Sequence, residues 1–253
     1  MWWGRRKNQP QRVEPFSIGK RLEFDVHSHL VPGVDDGASN LSESLALVDQ
    51  LVALGYQGAV LTPHIYTGLY PNSKATLSAP FAALQAAVKE RHPMFTLHLA
   101  AEYFTDEHFM QCIQRDDLLS FPVGDARAVL FEMGFQEAAP NVNEAVFELQ
   151  LNGYQPVLAH VERYPYLVAD ARALARLEDR GVWLTINAAS LAGAYGPEIR
   201  TFAAELLASG RARMLCSDAH GDRHVQALEA LQTDAAVHRA LEAGHLDLQR
   251  QIP

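Results

Sequence analysis

Cysteine is nearly absent, with Cys112 and Cys216 the only two in 253 residues. Two cysteines cannot build a disulfide framework, and such usage fits a reducing compartment. Neither is followed six positions on by arginine, since Leu118 and Asp222 stand there. That excludes the simplest cysteine-phosphatase loop, in which a thiolate attacks phosphorus inside a cradle closed by Arg. Long apolar runs are missing too, and none approaches the length that spans a bilayer, so stable membrane insertion is not expected. Positive charge is in deficit, 21 Lys and Arg against 30 Asp and Glu for a net charge of −9, which argues against a general nucleic-acid surface. The exception is residues 1–21, where Arg5, Arg6, Lys7, Arg12, Lys20 and Arg21 face only Glu14. No apolar segment follows them as a secretory signal would require. The expectation is a basic, disordered leader over 1–21, a folded domain over 22–250, and a cytoplasmic protein.

What is present is a regular rhythm. Hydrophobic residues make up 48% of the chain and charged residues 20%, enough for a sizeable core. Strand-like runs fall at 23–29, 58–64, 96–103, 126–133, 156–161, 182–188 and 212–218. Helical periodicity fills 42–54, 74–91, 105–115, 141–152, 169–180 and 198–209. Ser42 stands where the first helix starts, and Gly55, Gly153, Gly181 and Gly210 sit just past four helix ends. Short buried strands alternating with helices predict right-handed crossovers and a parallel sheet. Seven such units in a single α/β domain point to a sheet closed into a barrel, and no GxGxxG follows the first strand to favour an open dinucleotide fold.

Metal-ligating residue types gather at the C-terminal ends of those strands. "FDVHSHLVPGVDDG" carries His27 and His29 on one strand face and Asp36 in the loop behind them. His64 ends the second strand in "LTPH", Glu102 the third in "AAEYF", Glu132 the fourth in "LFEMG" and His160 the fifth in "LAHVERY". Asp218 and His220 close the last in "CSDAH". A parallel barrel brings all these ends to one mouth, where such folds place their active sites. One histidine at a strand end is ordinarily a hydrogen-bonded loop residue; nine His, Asp and Glu residues at one mouth are not explained that way. A carboxylate straight after a hydrophobic strand also needs a partner, because burying an unpaired charge is costly. Mixed nitrogen and oxygen donors without thiolate suit Mn²⁺, Fe²⁺ or Zn²⁺. Three divalent ions would outweigh the four carboxylates by about two charges, a potential that attracts a phosphate dianion to an acidic protein.

These motifs, in this order, resemble the PHP (polymerase and histidinol phosphatase) superfamily, and within it the bacterial protein-tyrosine phosphatases of capsule and exopolysaccharide clusters. HSH-x-x-PG-x-DDG together with H-x-ERY carries the resemblance to that branch; HxH and SDAH mark only the superfamily. The resemblance implies a distorted (βα)7 TIM-like barrel with three divalent ions, usually Mn²⁺, with Fe²⁺ or Zn²⁺ as alternatives. It implies His27, His29, Glu102 and Asp218 at a first ion, Asp36, His64 and His220 at a second, and Glu132 and His160 at a third, Glu102 bridging first and third. It implies a metal-activated hydroxide as nucleophile and Arg163 of "VERY" as the phosphate grip. A further arginine is usual after the SD-x-H motif; Arg223 comes earlier than in the family and lacks its prolines. The implied substrate is the phosphotyrosine tail of a bacterial tyrosine kinase. Rival readings keep the fold but take a small phosphoester such as histidinol phosphate or a nucleotide, or keep the barrel as a non-catalytic metal-binding scaffold.

Overall fold

In the computed structural model, which describes residues 14–253, mostly parallel strands alternate with helices along the described residues. The strands are β1 (Phe24–Ser28), β2 (Gly58–Leu61), β3 (His64–Ile65), β4 (Thr96–Leu99), β5 (Glu102–Phe104), β6 (Phe121–Val123), β7 (Ala126–Glu132), β8 (Tyr154–Leu158), β9 (Trp183–Asn187) and β10 (Ala212–Cys216). They form two sheets, one ordered β1-β2-β4 and the other β10-β9-β8-β7-β5-β3, with β6 running antiparallel to β7.

Two of the expected strands are each broken in two. The run at 58–64 divides into β2 and β3 around Thr62-Pro63, where proline has no N–H to give the ladder. The run at 96–103 divides into β4 and β5 at Ala100-Ala101. The halves stay side by side: Gly58 pairs with Thr96 and His64 with Glu102. Ala100 N–H donates to the Leu61 carbonyl at 2.8 Å, and Glu102 N–H to that of Pro63 at 3.1 Å. At the opposite flank, Asp218 N–H donates to the His27 carbonyl at 2.9 Å and His29 N–H to that of Ala219 at 3.0 Å. The ends of β1 and β10 are therefore tied together as well.

Helix punctuation follows local chemistry. Gly55, Gly153, Gly181 and Gly210 all have positive φ, the left-handed conformation that ends a helix cheaply only in glycine. The first long helix, Leu41–Ala53, is capped by Asn40, whose side chain accepts from Glu43 N–H, and not by Ser42. The helices Asp222–Leu231 and Ala235–Glu242 lie beyond the rhythm read from the sequence.

Apolar side chains fill two layers. Inside the strands lie Phe24, Val26, Val60, Leu130, Val157 and Met214; between strands and helices lies a larger cluster that includes Leu51, Leu84, Phe109, Leu149 and Leu206. The packed body also reaches past both expected boundaries. Residues 1–13 of the expected leader lie outside the described residues, but Ile18–Leu22 is a helix capped by Ser17, with Ile18 and Leu22 fully buried. Two apolar residues four apart, on one face of a turn, outweigh the basic composition around them. At the other end Gln249 is buried and bonds to Phe24 and Leu215 backbone, and Ile252 packs with the strand interior. The C-terminal turn Asp247–Gln251 thus closes the end of the strands opposite the histidines.

Candidate metal centre

The nine residues singled out at strand ends converge. His27 and His29 point inward from the end of β1 with their Nε2 atoms 3.1 Å apart. Glu102 Oε2 lies 3.3 Å from His27 Nε2, 3.4 Å from His29 Nε2 and 3.1 Å from His64 Nδ1. Glu132 Oε1 lies 3.1 Å from His64 Nδ1, and His160 Nε2 lies 3.0 Å from Glu102 Oε1. Asp218 Oδ1 is 3.4 Å from both His27 and His29, and Asp36 Oδ1 is 3.4 Å from His220 and 3.6 Å from His64. Ligand atoms within 4.8 Å of one another fall into three sets: His29, Asp36, His64 and His220; His27, His29 and Asp218; His64, Glu102 and Glu132. His29 and His64 each belong to two sets, so the grouping differs from the one implied by resemblance.

Local backbone explains the aim of several groups. Asp218 and His220 were expected at the end of the last strand, but β10 ends at Cys216 and Asp218 has φ of 51°. A left-handed residue, not strand alternation, turns both side chains toward the cluster. His160 likewise has φ of 33°, and the chain then tightens into a 3₁₀ turn, Val161–Arg163. In the "DDG" loop a Cβ at Gly37 would collide with the His29 carbonyl, so glycine permits the loop to fold against β1.

Several atoms of the cluster are left without partners. Glu102 Oε2 and His64 Nδ1 are buried and make no hydrogen bond, although each has donors or acceptors near 3 Å. Imidazole nitrogens and a carboxylate oxygen aimed at shared points, and not along each other's N–H axes, fit divalent ions between them. Burial alone would raise the Glu102 and Asp218 pKa values; the surrounding imidazoles outweigh it and hold both carboxyls well below their usual range. Both carboxyls are therefore ionised.

Residues outside the nine fix the geometry. Asp35, whose side chain is fully covered, accepts from His29 Nδ1 at 2.7 Å and from the backbone N–H groups of Gly37 and His64 at 3.0 Å each. It sets the tautomer that presents His29 Nε2 to the cluster. The Asp35-Asp36 doublet was visible in the sequence; which acid faces inward was not. Asn187 Nδ2 donates to Asp218 Oδ2 at 2.6 Å. Asp25, pushed up to about 6 by burial, takes the Ser217 N–H at 2.9 Å and so ties β1 to the SDAH loop. Glu162 accepts from Asn187 N–H at 2.9 Å and Ser190 Oγ at 2.5 Å, and Tyr164 Oη accepts from Met133 N–H at 3.1 Å. The E and Y of "VERY" thus brace the turn that carries Arg163.

Arg163 stands at the rim, Nη1 3.7 Å from Asp218 Oδ2, its guanidinium 4.7 Å from the Phe135 ring centre and 4.5 Å from that of Tyr195. Arg223 lies exposed in the first turn of Asp222–Leu231 and makes no ion pair among the described residues. Cys216 is buried, its thiol donating to the Ile186 carbonyl at 3.3 Å, and burial pushes its pKa well up. Cys112 is half-buried on the separate helix Glu107–Gln114, its thiol also raised by burial. Neither is poised as a thiolate nucleophile. No helix among the described residues is long and apolar enough to cross a membrane.

The chain resembles known proteins in both sequence and fold. A family model described as capsular polysaccharide synthesis, CpsB/CapC, matches residues 23–242. The chain is 30% identical over 211 residues to the tyrosine-protein phosphatase YwqE of Bacillus subtilis (strain 168), covering 82% of each chain. It is 25% identical over 164 residues to the tyrosine-protein phosphatase CpsB of Streptococcus pneumoniae, covering 65% of this chain and 67% of the relative. A solved structure from work on YwqE and CpsB, described as unique metal-dependent tyrosine phosphatases, superimposes with a TM-score of 0.75 at 26% identity, covering 91% of this chain and 95% of the other.

Proposed function

The chain belongs to the CpsB/CapC family of capsular polysaccharide synthesis, and from that premise we propose that it is a metal-dependent tyrosine-protein phosphatase. Its substrate on this reading is the phosphotyrosine tail of a bacterial tyrosine kinase that acts in capsule or exopolysaccharide synthesis. The enzyme is cytoplasmic and uses three divalent ions, Mn²⁺ by preference. The observation that carries the reading is Glu102 Oε2, buried without a hydrogen bond among three imidazole nitrogens at 3.1–3.4 Å. Tied ends of β1 and β10, and broken strands that run on side by side, support a ring of seven βα units with this cluster at its mouth.

His27, His29, Asp36, His64, Glu102, Glu132, His160, Asp218 and His220 would hold the ions. Bound there, divalent ions supply Lewis-acid charge and bring a water's pKa down to about 7. The chain's own residues do the rest. Arg163 presents a planar fork to two phosphoryl oxygens from the rim, held over the rings of Phe135 and Tyr195. Asp218 balances its charge from one side before substrate arrives. Arg223 adds longer-range attraction for the anion from its exposed turn. The departing phenolate, with a pKa of about 10, needs little protonation.

The test is turnover by metal-free protein reconstituted separately with Mn²⁺, Zn²⁺, Fe²⁺ and Mg²⁺, on a phosphotyrosine peptide beside histidinol phosphate. Preference for the peptide supports the reading. Preference for histidinol phosphate makes the protein a small-molecule phosphoesterase, and no turnover with any ion makes it a scaffold.

A further inference from the structure

The strands β1, β3, β5, β7, β8 and β10 each carry or lead into one or more of the nine clustered residues; β9, which lies between β8 and β10, leads into none. Its last residue is Asn187, fully buried. We propose that Asn187 is a positioning residue: its amide holds the Asp218 carboxylate with one oxygen on the His27 and His29 side and the other apart from Arg163, so that the arginine is left for a phosphoryl group. The proposal rests on the phosphatase reading for the anion and on the geometry at the end of β9 for everything else.

The amide has no free choice of direction. An ionised carboxylate only accepts, so the Asn187 nitrogen and not its oxygen must face Asp218, and Nδ2 lies 2.6 Å from Asp218 Oδ2. On the other side Asn187 Oδ1 accepts from the Cys216 thiol at 3.2 Å, a proton shared with the Ile186 carbonyl. Both ends of the buried amide are used, and each fixes the direction of the other.

The two oxygens of Asp218 consequently have different surroundings. Oδ1 is 3.4 Å from His27 Nε2 and His29 Nε2 and 3.5 Å from His220 Nδ1. Oδ2 meets Asn187, with Arg163 Nη1 farther off at 3.7 Å. A charged pair free to close sits at about 2.7–2.9 Å. This one stays open: Asn187 fixes the plane of the carboxylate, while Phe135 and Tyr195 hold the guanidinium over their rings. The terminal torsion of an aspartate is broad, so without the amide Asp218 can rotate and bring Oδ2 onto the arginine.

The same residue reaches the arginine from its other side. Asn187 N–H donates to Glu162 Oε1 at 2.9 Å, and Glu162 immediately precedes Arg163 in the turn Val161–Arg163. Two residues earlier on β9, Thr185 Oγ1 accepts from His160 N–H at 3.0 Å. β9 thus sets spacing where its neighbours supply ligands. The side chain of Asn187 places Asp218 and its main chain places the turn. Substitution separates the two roles, because every residue but proline keeps the N–H.

Phosphate binding separates this role from a merely structural one. Inorganic phosphate is titrated by calorimetry into protein saturated with Mn²⁺, for wild type, Asn187→Ala, Arg163→Ala and the double variant. Asn187→Ala should weaken phosphate binding about fivefold or more when Arg163 is present and less than about twofold once it is gone, the non-additivity of residues that act through one another. Asn187→Leu, which fills the space but offers no donor, should show the same coupling to Arg163. Each Asn187 variant is compared with its own Arg163→Ala partner, so a loss of packing common to both cancels, and melting temperatures of the metal-free proteins are measured alongside. Equal losses in both backgrounds, or no loss in either, overturn the proposal, as does a phosphate affinity that Arg163→Ala leaves unchanged. If the coupling appears but a phosphotyrosine peptide is not hydrolysed, Asn187 keeps its positioning role and the phosphatase reading falls.

Discussion

Arg163 is the side chain on which the proposed chemistry depends most openly. Its ion pair with Asp218 is long, 3.7 Å, and its guanidinium is partly exposed, so the pair by itself stabilises the fold by no more than about 0–1 kcal/mol. Arg163→Ala should therefore leave melting temperature and metal content near wild type while kcat/KM on a phosphotyrosine peptide falls by about 2–4 kcal/mol of transition-state stabilisation, the scale of one preorganised donor. Arg163→Lys should recover only part, since an ammonium is a point charge and not a fork. A variant within about threefold of wild type would reduce the arginine to a rim charge. Asp35 makes a contrasting prediction. Asp35→Asn weakens the bond that orients His29, and metal affinity should fall roughly 10–100-fold by competition with a chelating dye. The cysteines should behave in the opposite way. Cys112→Ser and Cys216→Ser should each keep most activity, because neither thiol is positioned or ionised to attack phosphorus. Loss of all turnover in either variant with metals retained would contradict a water nucleophile.

The turn Val161–Arg163 is where several separate strands of the fold are made to agree. His160, before the turn, faces Glu102; Glu162, within it, holds β9 through Asn187; Tyr164, after it, holds the end of β7 through Met133. One short element thus fixes a proposed metal ligand and the arginine relative to the two neighbouring strands. Tyr164 is fully buried, so Tyr164→Phe leaves the Met133 N–H without its acceptor. Stability should drop by about 1–3 kcal/mol in urea denaturation. Activity should fall with it, because Glu132 lies next to Met133 and loses its fixed position. Unchanged stability would show that water replaces the phenol there at little cost.

At the scale of the whole molecule, four carboxylates and five imidazoles packed at one end of the strands form an assembly that ions should stabilise. Chelation should abolish activity and lower the melting temperature, because ligands that bind only the folded state stabilise it by mass action. Elemental analysis should find two or three transition-metal ions per chain. At most one ion, with full activity in EDTA, would sink the trinuclear reading. The opposite end of the strands should be insensitive to metal, closed as it is by Gln249 and Ile252 against Phe24 and Leu215.

The sequence by itself determined the alternation of strands and helices, the glycine helix ends and the nine metal-ligating residue types at strand ends, because periodicity and residue type are local properties. His27 and His29 could be placed on one face from their spacing alone. Chain reversals and long-range partners were beyond that reach. The break at Ala100-Ala101, the left-handed turns at His160 and Asp218, and the helix Ile18–Leu22 within a basic segment are decided by what each segment packs against. The same holds for Asp35 and Asp36. Identical acids side by side carry no label in the sequence, and only the approach of the loop to His29 and His64 makes one an orienting partner and leaves the other facing His220. Tertiary structure also set Asn187 of β9 between Cys216 and Asp218 at the end of β10, a juxtaposition set by strand order and not by any motif.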